Sequence, residues 1–350
     1  MVVPHLDISG GVRIALNYAH FLGRRGNEVR VISSSRNPRK RVKNILEGKR
    51  GSIAELFDGT PYWFRHLDAR VLRVPSIAPE YIPDGDVVVD MSCNKVAETY
   101  ELGAEKGRKF EFITHDERLY HKERSFVENA YRKDTRKICI SDWLQEIIKR
   151  DFGQESDLLV TPVDAELFFP DSGADFDTRG VSVAMLHHNY PWKGVDDGLY
   201  AYTAVRDQTD VPLRLVLFGA RFRQIDVPCD EYHYDPKQEK LRRIYSRADI
   251  FLCPSEWEGL GMPAMEAMAC RTAVVTFDTG GSRSYAFDGD TAFVAHHGDR
   301  ADLARKLRDA VRNDSKRERI AARGYEYVTT ELDSWSESAA KLEAIFQNAV

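Results

Sequence analysis

Several features that define specialised classes of protein are missing from this sequence. It has only five cysteines in 350 residues, at positions 93, 139, 229, 253 and 270, and no two are spaced as Cys-x-x-Cys. This pattern excludes a disulfide framework and a cysteine zinc site, and it indicates reduced, mostly buried thiols. No apolar run approaches the roughly 18 residues of a membrane-spanning helix, and no signal peptide opens the chain. The sequence therefore predicts a globular cytoplasmic protein.

Patterns that hold metals or dinucleotides are also missing. The Gly-x-Gly-x-x-Gly fingerprint of dinucleotide-binding proteins does not occur. The paired histidines at 187–188 and 296–297 have no third ligand at metal-like spacing. Three Asp-x-Asp triplets occur, at 84/86, 175/177 and 288/290, and turn or linker chemistry explains them better than a metal-bound diphosphate. We predict no catalytic metal.

The charge is unevenly divided along the chain. The net charge is −5, but basic residues outnumber acidic ones in residues 1–150 and acidic residues predominate after that. Part of the basic excess is the run from Arg36 to Lys43, followed by Lys49 and Arg50. This run is interpreted either as a solvated loop or as a peripheral contact with an anionic membrane surface or a lipid diphosphate. Nucleic acid is not expected as a partner, because no recognition motif accompanies the charge.

The order of short apolar runs and amphipathic stretches predicts an α/β protein. Such runs without polar alternation are typical of parallel strands covered on both faces, and their alternation with helices implies open parallel sheets. The length favours two domains. The predicted strands are Glu28–Ile32, Arg70–Val74, Asp86–Met91, Phe110–Thr114, Lys137–Ile140, Leu158–Thr161, Val181–Leu186, Leu213–Phe218, Asp249–Cys253 and Ala273–Phe277. The predicted helices include a first one marked by Val12 to Leu22, then Asp142–Arg150 capped by Ser141, Val195–Asp207, Lys237–Ser246, Pro263–Ala269, Ala301–Asn313 and 315–350.

The stretch from Glu258 to Glu266 carries most of the functional information. A buried strand precedes a glycine-rich turn, and Pro263 suits the first position of a following helix. Free backbone amides at such a helix start favour the binding of an anion. Glu266 is expected in the first helical turn, with its side chain directed towards this anion site. Ionised carboxylates only accept hydrogen bonds, so they suit sugar hydroxyls better than phosphates. The stretch predicts a nucleotide-sugar pocket; a turn with two solvated acids is the alternative.

This spacing of two glutamates around Gly259-Leu260-Gly261-Met262-Pro263 resembles the signature of the retaining glycosyltransferases of family 4. The resemblance implies the GT-B fold, in which two Rossmann-like parallel-sheet domains face an interdomain cleft. It further implies that Glu266 holds the nucleotide ribose and that Glu258 contacts the donor sugar. The implied domains are residues 1–164 on the acceptor side, residues 165–330 on the nucleotide-sugar side, and a helix over 331–350 that crosses back to the first.

Lys193 follows the first strand of the second domain, within Tyr190-Pro191-Trp192-Lys193-Gly194. A lysine there, beside a glycine that permits close backbone approach, can neutralise a leaving diphosphate. The similar enzymes usually have an arginine five residues earlier, where this sequence has His188. The diphosphate site is therefore expected to depend on backbone amides or on a protonated His188.

Two positions in the first domain complete the predicted site. The double glycine Gly10-Gly11 corresponds to the loop that closes over the donor phosphates in the similar enzymes. His115 ends a predicted strand, where open α/β sheets place ligands, and the resemblance implies that it faces the reacting carbon or the acceptor. A histidine that merely caps its strand is the alternative, and Asp116 is the candidate partner that orients it. The predicted catalytic residues are His115, Lys193 and Glu258, and the predicted donor-binding residues are Gly10, Gly11, His188, Lys193, Glu258, Gly259, Leu260, Gly261, Met262 and Glu266.

These patterns together predict a retaining, metal-independent glycosyltransferase without a cofactor. Its donor is a nucleotide-diphosphate sugar and its acceptor is a hydroxyl of a glycan or of a lipid-linked glycan, in surface polysaccharide or glycoconjugate biosynthesis. The expected location is the cytoplasm, including the inner face of the membrane. Two alternatives are kept: a nucleotide-sugar epimerase of the same architecture, and a glycan-binding or scaffold relative without turnover.

Overall fold

The computed structural model describes residues 1–7, 9–34, 61, 64, 66–171, 180–220 and 227–349. They form two compact units, one made of Met1–Thr161 with Trp335–Val350 and the other of Pro162–Ser334. The basic run that begins at Arg36 and the 175/177 triplet lie outside the described residues.

Each unit is built on one parallel sheet. The first sheet has seven strands in the order β3-β2-β1-β4-β5-β6-β7, and the second has six in the order β10-β9-β8-β11-β12-β13. All pairs of neighbouring strands are parallel. The prediction of two Rossmann-like parallel-sheet domains is confirmed. The strands are β1 Val2–Val3, β2 Arg30–Ser34, β3 Arg70–Val74, β4 Val87–Asp90, β5 Arg108–Ile113, β6 Arg136–Cys139, β7 Ser156–Leu158, β8 Val181–Leu186, β9 Leu213–Gly219, β10 Glu231–Tyr234, β11 Ile250–Cys253, β12 Ala273–Phe277 and β13 Phe293–Ala295.

Helices connect these strands, as parallel pairing requires. They are α1 Gly10–Arg24, α2 Cys93–Thr99, α3 Arg124–Tyr131, α4 Asp142–Phe152, α5 Val195–Arg206, α6 Gln238–Arg247, α7 Met262–Ala269, α8 Arg300–Arg312, α9 Asp314–Glu326 and α10 Trp335–Gln347. Local sequence explains several of their ends. Ser141 caps α4 as predicted, since its Oγ accepts the amide of Leu144 at 3.4 Å, and Gly153 ends that helix in the left-handed conformation.

The central strands are apolar because both faces of each sheet are covered. In the second unit every residue of β11 and β12 is buried. Their side chains pack against apolar residues of α5 and α8, including Ala201, Tyr202, Leu303 and Leu307. This burial removes apolar surface from water on both faces of the sheet and supplies the main stabilisation of the unit.

The last helix packs in the first unit, against α1. The Tyr18 and Trp335 rings meet edge to face with centroids 5.1 Å apart, and the Tyr18 and Ser338 hydroxyls share a buried hydrogen bond of 2.7 Å. The Arg25 guanidinium donates to the Glu343 carboxylate at 2.6 Å. The last helix of the chain thereby becomes part of the layer that covers the first sheet.

Some elements differ from their predictions. The edge strands β10 and β13 were not predicted, because one is polar and half-exposed and the other has only three residues. Strand β7 lies two to three residues earlier than predicted, in register with β6. Helix α1 begins at Gly10 and not at Val12, since Ser9 caps it. The stretch predicted as helix over 315–350 is interrupted at residues 332–334.

Candidate active site

In the second sheet, the direction in which successive strands are added reverses between β8 and β11. Strands β9 and β10 extend it on one side, and β12 and β13 extend it on the other. Open parallel sheets bind ligands at such a switch point, outside the carboxyl ends of the strands, because the two flanking loops diverge there. The loops that leave β8 and β11 are residues 187–194 and 254–261. They carry Lys193 and Glu258.

A tight turn after β8 presents Lys193. Residues Pro191–Lys193 form one turn of 3₁₀ helix, and Gly194 follows in the left-handed conformation with φ of 64° before α5 begins. A Cβ at Gly194 would lie 1.9 Å from the carbonyl oxygen of Pro254, so only glycine lets the two loops approach this closely. The Glu256 amide also donates to the Trp192 carbonyl at 2.8 Å. These contacts join the two loops next to Lys193.

Lys193 and Glu258 form an ion pair at the switch point. The Lys193 Nζ donates to Glu258 Oε1 at 2.5 Å, with side-chain exposures of 17% and 9%. A small pocket beside them is also lined by Cys253 and Pro263. Burial raises the pKa of the Cys253 thiol, and the nearby Glu258 adds to this effect, so the thiol is neutral. The site therefore joins one cation and one carboxylate in a half-buried setting.

The glycine turn after Glu258 leads directly into α7. The Glu258 amide donates to the Thr279 carbonyl at 3.2 Å, and Gly281 donates back to the Glu258 carbonyl at 3.2 Å, which anchors the turn to the loop after β12. Gly261 caps α7 with φ of 98° and no side-chain cap. Within the described part of the chain, the amides of Leu260, Gly261 and Met262 donate to no protein acceptor. Such amides at a helix start attract an anion.

Two local predictions at α7 were wrong. The helix begins at Met262, so Pro263 is its second residue and not its first. Glu266 is consequently the fifth helical residue, beyond the first turn, and no acidic residue lies in that turn. Its side chain is buried, with 3% of the residue exposed, and its Oε2 accepts the hydroxyl of Tyr245 at 3.3 Å.

His188 lies on the same loop as Lys193 and is half-buried. Its Nδ1 accepts the backbone amide of Tyr190 at 3.1 Å, and its ring contacts the Tyr190 ring with centroids 4.3 Å apart. A ring nitrogen that accepts an amide carries no proton. In this geometry Nδ1 of His188 is therefore occupied by a hydrogen bond within its own loop.

The predicted residues of the first unit lie at the carboxyl end of its own sheet. Gly10 and Gly11 form the first turn of α1, and a Cβ on Gly11 would lie 3.2 Å from Thr114 Oγ1. His115 follows Thr114, and its Nδ1 lies 3.2 Å from the backbone oxygen of Asp116. The structure thus brings Gly11 to the end of β5, next to His115. Lys193, Glu258, the glycine turn, His188 and Glu266 all belong to the second unit.

Asp116 does not orient His115 through its carboxylate. Both of its carboxylate oxygens accept hydrogen bonds from Arg118, at 2.8 to 3.1 Å. The third guanidinium nitrogen of Arg118, Nη1, lies 2.8 Å from Asp151 on α4. The Asp116 side chain is therefore part of an ion-pair network, and only its carbonyl reaches the histidine.

The Asp-x-Asp triplets within the described residues have structural partners. Asp84 lies 2.7 Å from Lys106, Asp288 pairs with Lys306, and Asp290 lies 3.6 Å from Arg323. In the ranges described above, no three His, Cys, Asp or Glu side chains are grouped as metal ligands. Over the same ranges, no helix is both long enough and apolar enough to cross a membrane.

Sequence reasoning missed two buried tyrosines beneath the site. Tyr245 on α6 donates to Glu266, and Tyr285 donates to the Gly261 carbonyl at 3.2 Å. Both side chains are almost completely buried. The sequence offers one signal for Tyr245, since a tyrosine on the apolar face of an amphipathic helix needs a partner for its hydroxyl. It offers no signal for Tyr285, which follows a loop.

A known family matches this chain within its second unit. Residues 175–327 match the family described as Glycosyl transferases group 1. Alpha-maltose-1-phosphate synthase of Mycobacterium tuberculosis is 36% identical over 114 residues, which is 31% of this chain and 29% of the relative. MMP alpha-(1->4)-mannosyltransferase of Mycolicibacterium hassiacum is 27% identical over 198 residues, covering 54% of this chain and 47% of the relative. The chain thus matches less than half the length of these two relatives.

Solved structures share the whole fold at low sequence identity. Sucrose-phosphate synthase from Thermosynechococcus elongatus superposes with a TM-score of 0.77 at 16% identity, over 99% of this chain and 95% of that one. Alr3699/HepE from Anabaena, in complex with UDP and glucose, has a TM-score of 0.73 at 13% identity and covers 99% of both chains. Residues 175–327, which match the family described as Glycosyl transferases group 1, hold Lys193, Glu258 and Glu266.

Proposed function

We propose that this chain is a retaining, metal-independent glycosyltransferase of family 4. It moves a sugar from a nucleotide-diphosphate donor to a hydroxyl of a glycan or of a lipid-linked acceptor, in surface polysaccharide or glycoconjugate biosynthesis. One observation carries the proposal: the Lys193–Glu258 ion pair lies at the switch point of the second sheet, in the loops that lead to the amides before α7. A diphosphate needs the cation and the amides, and a sugar needs the carboxylate.

The donor assignment has two kinds of support. The matching residues contain the whole glycine turn and both glutamates, and two curated relatives are named as a glycosyltransferase and a mannosyltransferase. The structural neighbour Alr3699/HepE holds UDP and glucose. Glu266 is assigned to the ribose hydroxyls and Glu258 to the sugar. Gly10, Gly11 and His115 of the first unit are assigned to the phosphates and to the reacting carbon or the acceptor.

In this mechanism the protein supplies electrostatic stabilisation and no nucleophile. The bond between the anomeric carbon and the diphosphate oxygen breaks, and the acceptor hydroxyl attacks the same face. The departing phosphate oxygen takes the acceptor proton. Lys193 and the amides of Leu260, Gly261 and Met262 stabilise the negative charge that develops on the leaving group, because preorganised donors act there without reorganising.

The site of action is proposed to be the cytoplasm, including the inner face of a membrane. The basic run from Arg36 to Lys43, with Lys49 and Arg50, supports a peripheral contact with anionic lipid headgroups, since each basic residue near such a surface adds about 1 kcal/mol. Sedimentation with vesicles that contain or lack phosphatidylserine tests this contact. Equal pelleting with both kinds of vesicle would remove it from the proposal.

Calorimetric titration with UDP, GDP, ADP and dTDP sugars tests the donor. We expect one nucleotide to bind, and we expect transfer of its sugar to an added acceptor with retention of the anomeric configuration, read by NMR. Conversion of the donor sugar without an acceptor would identify an epimerase instead. If no nucleotide sugar binds, the chain is a scaffold and the proposed activity is wrong.

Glu266→Ala tests the ribose assignment. The variant loses charge-assisted hydrogen bonds to the nucleotide, so we expect donor binding to weaken by about 1.5–3 kcal/mol. Glu256→Ala is the matched control, because Glu256 is an exposed carboxylate two residues before Glu258 on the loop after β11. Calorimetry on both variants measures the difference. Donor affinity equal to that of the wild type in Glu266→Ala would contradict the assignment.

A further inference from the structure

We propose that Tyr245 is a positioning residue that sets the Glu266 carboxylate for two ribose hydroxyls. The Tyr245 hydroxyl would thereby determine how strongly the site prefers ribonucleotides to deoxyribonucleotides. This inference rests on the proposed function, in which Glu266 receives the ribose. It assigns a role to a residue that does not itself touch the ligand.

The Tyr245 ring is held in place by its neighbours. The side chain is completely buried, and its ring meets the Phe218 and Phe251 rings edge to face, with centroids 5.6 and 5.3 Å away. The Tyr245 carbonyl accepts the Thr272 hydroxyl at 2.6 Å, which ties the end of α6 to the segment before β12. A ring held in this way directs its hydroxyl at a fixed point.

That fixed point is the Glu266 carboxylate. The Tyr245 hydroxyl donates to Oε2 at 3.3 Å, and both groups are buried. A free glutamate side chain rotates about three bonds, and ordering it costs conformational entropy. The hydrogen bond from Tyr245 restricts the plane of the Glu266 carboxylate. Part of this entropy is therefore already lost in the free protein, before a ligand binds. A carboxylate held in one orientation can accept hydrogen bonds from two vicinal hydroxyls at once, whereas a freely rotating carboxylate has no preferred orientation towards such a pair.

Tyr285 provides a comparison within the same site. Its side chain is as deeply buried as that of Tyr245, and its hydroxyl donates to the Gly261 carbonyl at 3.2 Å. Burial raises its pKa well above the ordinary value, so it remains neutral. The bond of Tyr285 supports the glycine turn and does not reach Glu266. Loss of its hydroxyl is expected to disturb the phosphate end of the ligand and to leave ribose recognition unchanged.

The test compares Tyr245→Phe with Tyr285→Phe, each of which removes one buried oxygen. Calorimetry on wild type and both variants uses UDP, GDP and ADP, each with its 2′-deoxy and 3′-deoxy forms. For the nucleotide that binds, the readout is the ratio of the deoxy to the ribo dissociation constant. We expect this ratio to fall by a factor of about 5 to 30 in Tyr245→Phe. We expect the wild-type ratio in Tyr285→Phe, whatever its overall affinity.

Each outcome separates this inference from the proposed function. If the wild type binds none of these diphosphates and no dTDP sugar, both are wrong. If it binds only dTDP sugars, the inference fails alone, because the site then has no preference for ribonucleotides. If the wild type binds and Tyr245→Phe keeps the full ribose preference, Tyr245 only supports packing and the inference fails alone. An equal fall in both variants also overturns it, since general loosening of the site would then explain the effect.

A second pair of variants tests the inference in case Tyr245→Phe does not fold. Thr272→Val removes the hydroxyl that holds the Tyr245 carbonyl and leaves the tyrosine and Glu266 intact. Thr272→Ser keeps that hydroxyl. We expect a reduced ribose preference in Thr272→Val and the wild-type preference in Thr272→Ser. A wild-type preference in both Thr272 variants would count against the inference.

Discussion

At the scale of single residues, the Lys193–Glu258 pair combines groups that suit the diphosphate and the sugar of the proposed donor. A lysine ammonium has three donors, and Glu258 uses one of them at 2.5 Å. The remaining donors suit phosphate oxygens, and the glutamate keeps further lone pairs for hydroxyls. The ion pair therefore holds both side chains in place. It leaves Lys193 able to donate to phosphate oxygens and Glu258 able to accept from sugar hydroxyls, as proposed.

Lys193→Ala is predicted to reduce turnover more than stability. Loss of a preorganised cation at a developing negative charge costs on the order of 10²–10³ in kcat. The stability cost is smaller, about 1–3 kcal/mol, and comes from leaving the Glu258 carboxylate without this partner. Steady-state kinetics and urea unfolding measure the two effects.

The exposed Lys240 of the same unit gives the control variant Lys240→Ala, for which neither quantity should change by much. If Lys193→Ala lowers stability severely and leaves the turnover of the remaining folded enzyme unchanged, the lysine has a structural role only.

At the residue scale the sequence predicted the ionic groups better than the groups that support them. Lys193 and Glu258 were identified from motif spacing, and the structure brings them into contact. Tyr245 was not identified, because its partner Glu266 lies 21 positions away and the contact depends on how α6 packs against α7. A motif is local in sequence, whereas a buried hydrogen bond between helices is not.

At the scale of elements, the start of α7 depends on a single glycine. Gly261 has φ of 98°, and a Cβ there would lie 2.5 Å from the Tyr285 hydroxyl oxygen. Both the backbone conformation and the close approach exclude a side chain. The amides that precede the helix are directed by this residue.

Gly261→Ala is predicted to destabilise the second unit and to weaken nucleotide binding. The strained backbone alone costs about 1–3 kcal/mol, and the contact with Tyr285 adds to it. Gly289→Ala is the control, because Gly289 has φ of 75° but no atom of the described residues lies within 4 Å of the point where its Cβ would be. Thermal unfolding and calorimetry distinguish the variants. A smaller stability loss in Gly261→Ala than in Gly289→Ala would show that the Tyr285 contact is unimportant.

At the scale of the whole molecule, buried ionisable groups should make stability depend on pH. Asp90, at the end of β4 in the first unit, is completely buried and accepts the hydroxyl of Thr99. Burial raises the pKa of Asp90 to about 7, despite the hydrogen bond from Thr99 and nearby positive charges. An unfolded aspartate ionises near pH 4. Between about pH 4 and 7 the folded protein therefore retains a proton that the unfolded chain has released, and its stability falls as the pH rises.

Asp90→Asn is predicted to flatten this dependence. The Asp90 contribution is at most about 1.4 kcal/mol per pH unit over that range, and an amide does not titrate. Urea unfolding at pH 5 and pH 7.5 measures the slope for wild type and variant. Asp84→Asn, at an exposed carboxylate of the same unit, is the control. An unchanged slope in Asp90→Asn would show that Asp90 is ionised in the folded protein throughout this range.

The sequence by itself determined the class of fold and the ionic residues of the site. Apolar strands of four to six residues, such as β8 and β12, can be buried only when both faces of a sheet are covered, so their pattern already implies parallel sheets. The glycine turn between Glu258 and Glu266 implies an anion site, because its residues are neighbours along the chain. These are local properties, and local sequence is enough to predict them.

Only the tertiary structure decided which groups support that site. Strand order places the loops after β8 and β11 side by side, although more than 60 residues separate Lys193 from Glu258. The packing of α6 against α7 directs Tyr245 at Glu266, and the close approach of Pro254 requires a glycine at 194. Such contacts join distant parts of the chain, and the free energy that fixes them comes from burial of the whole core.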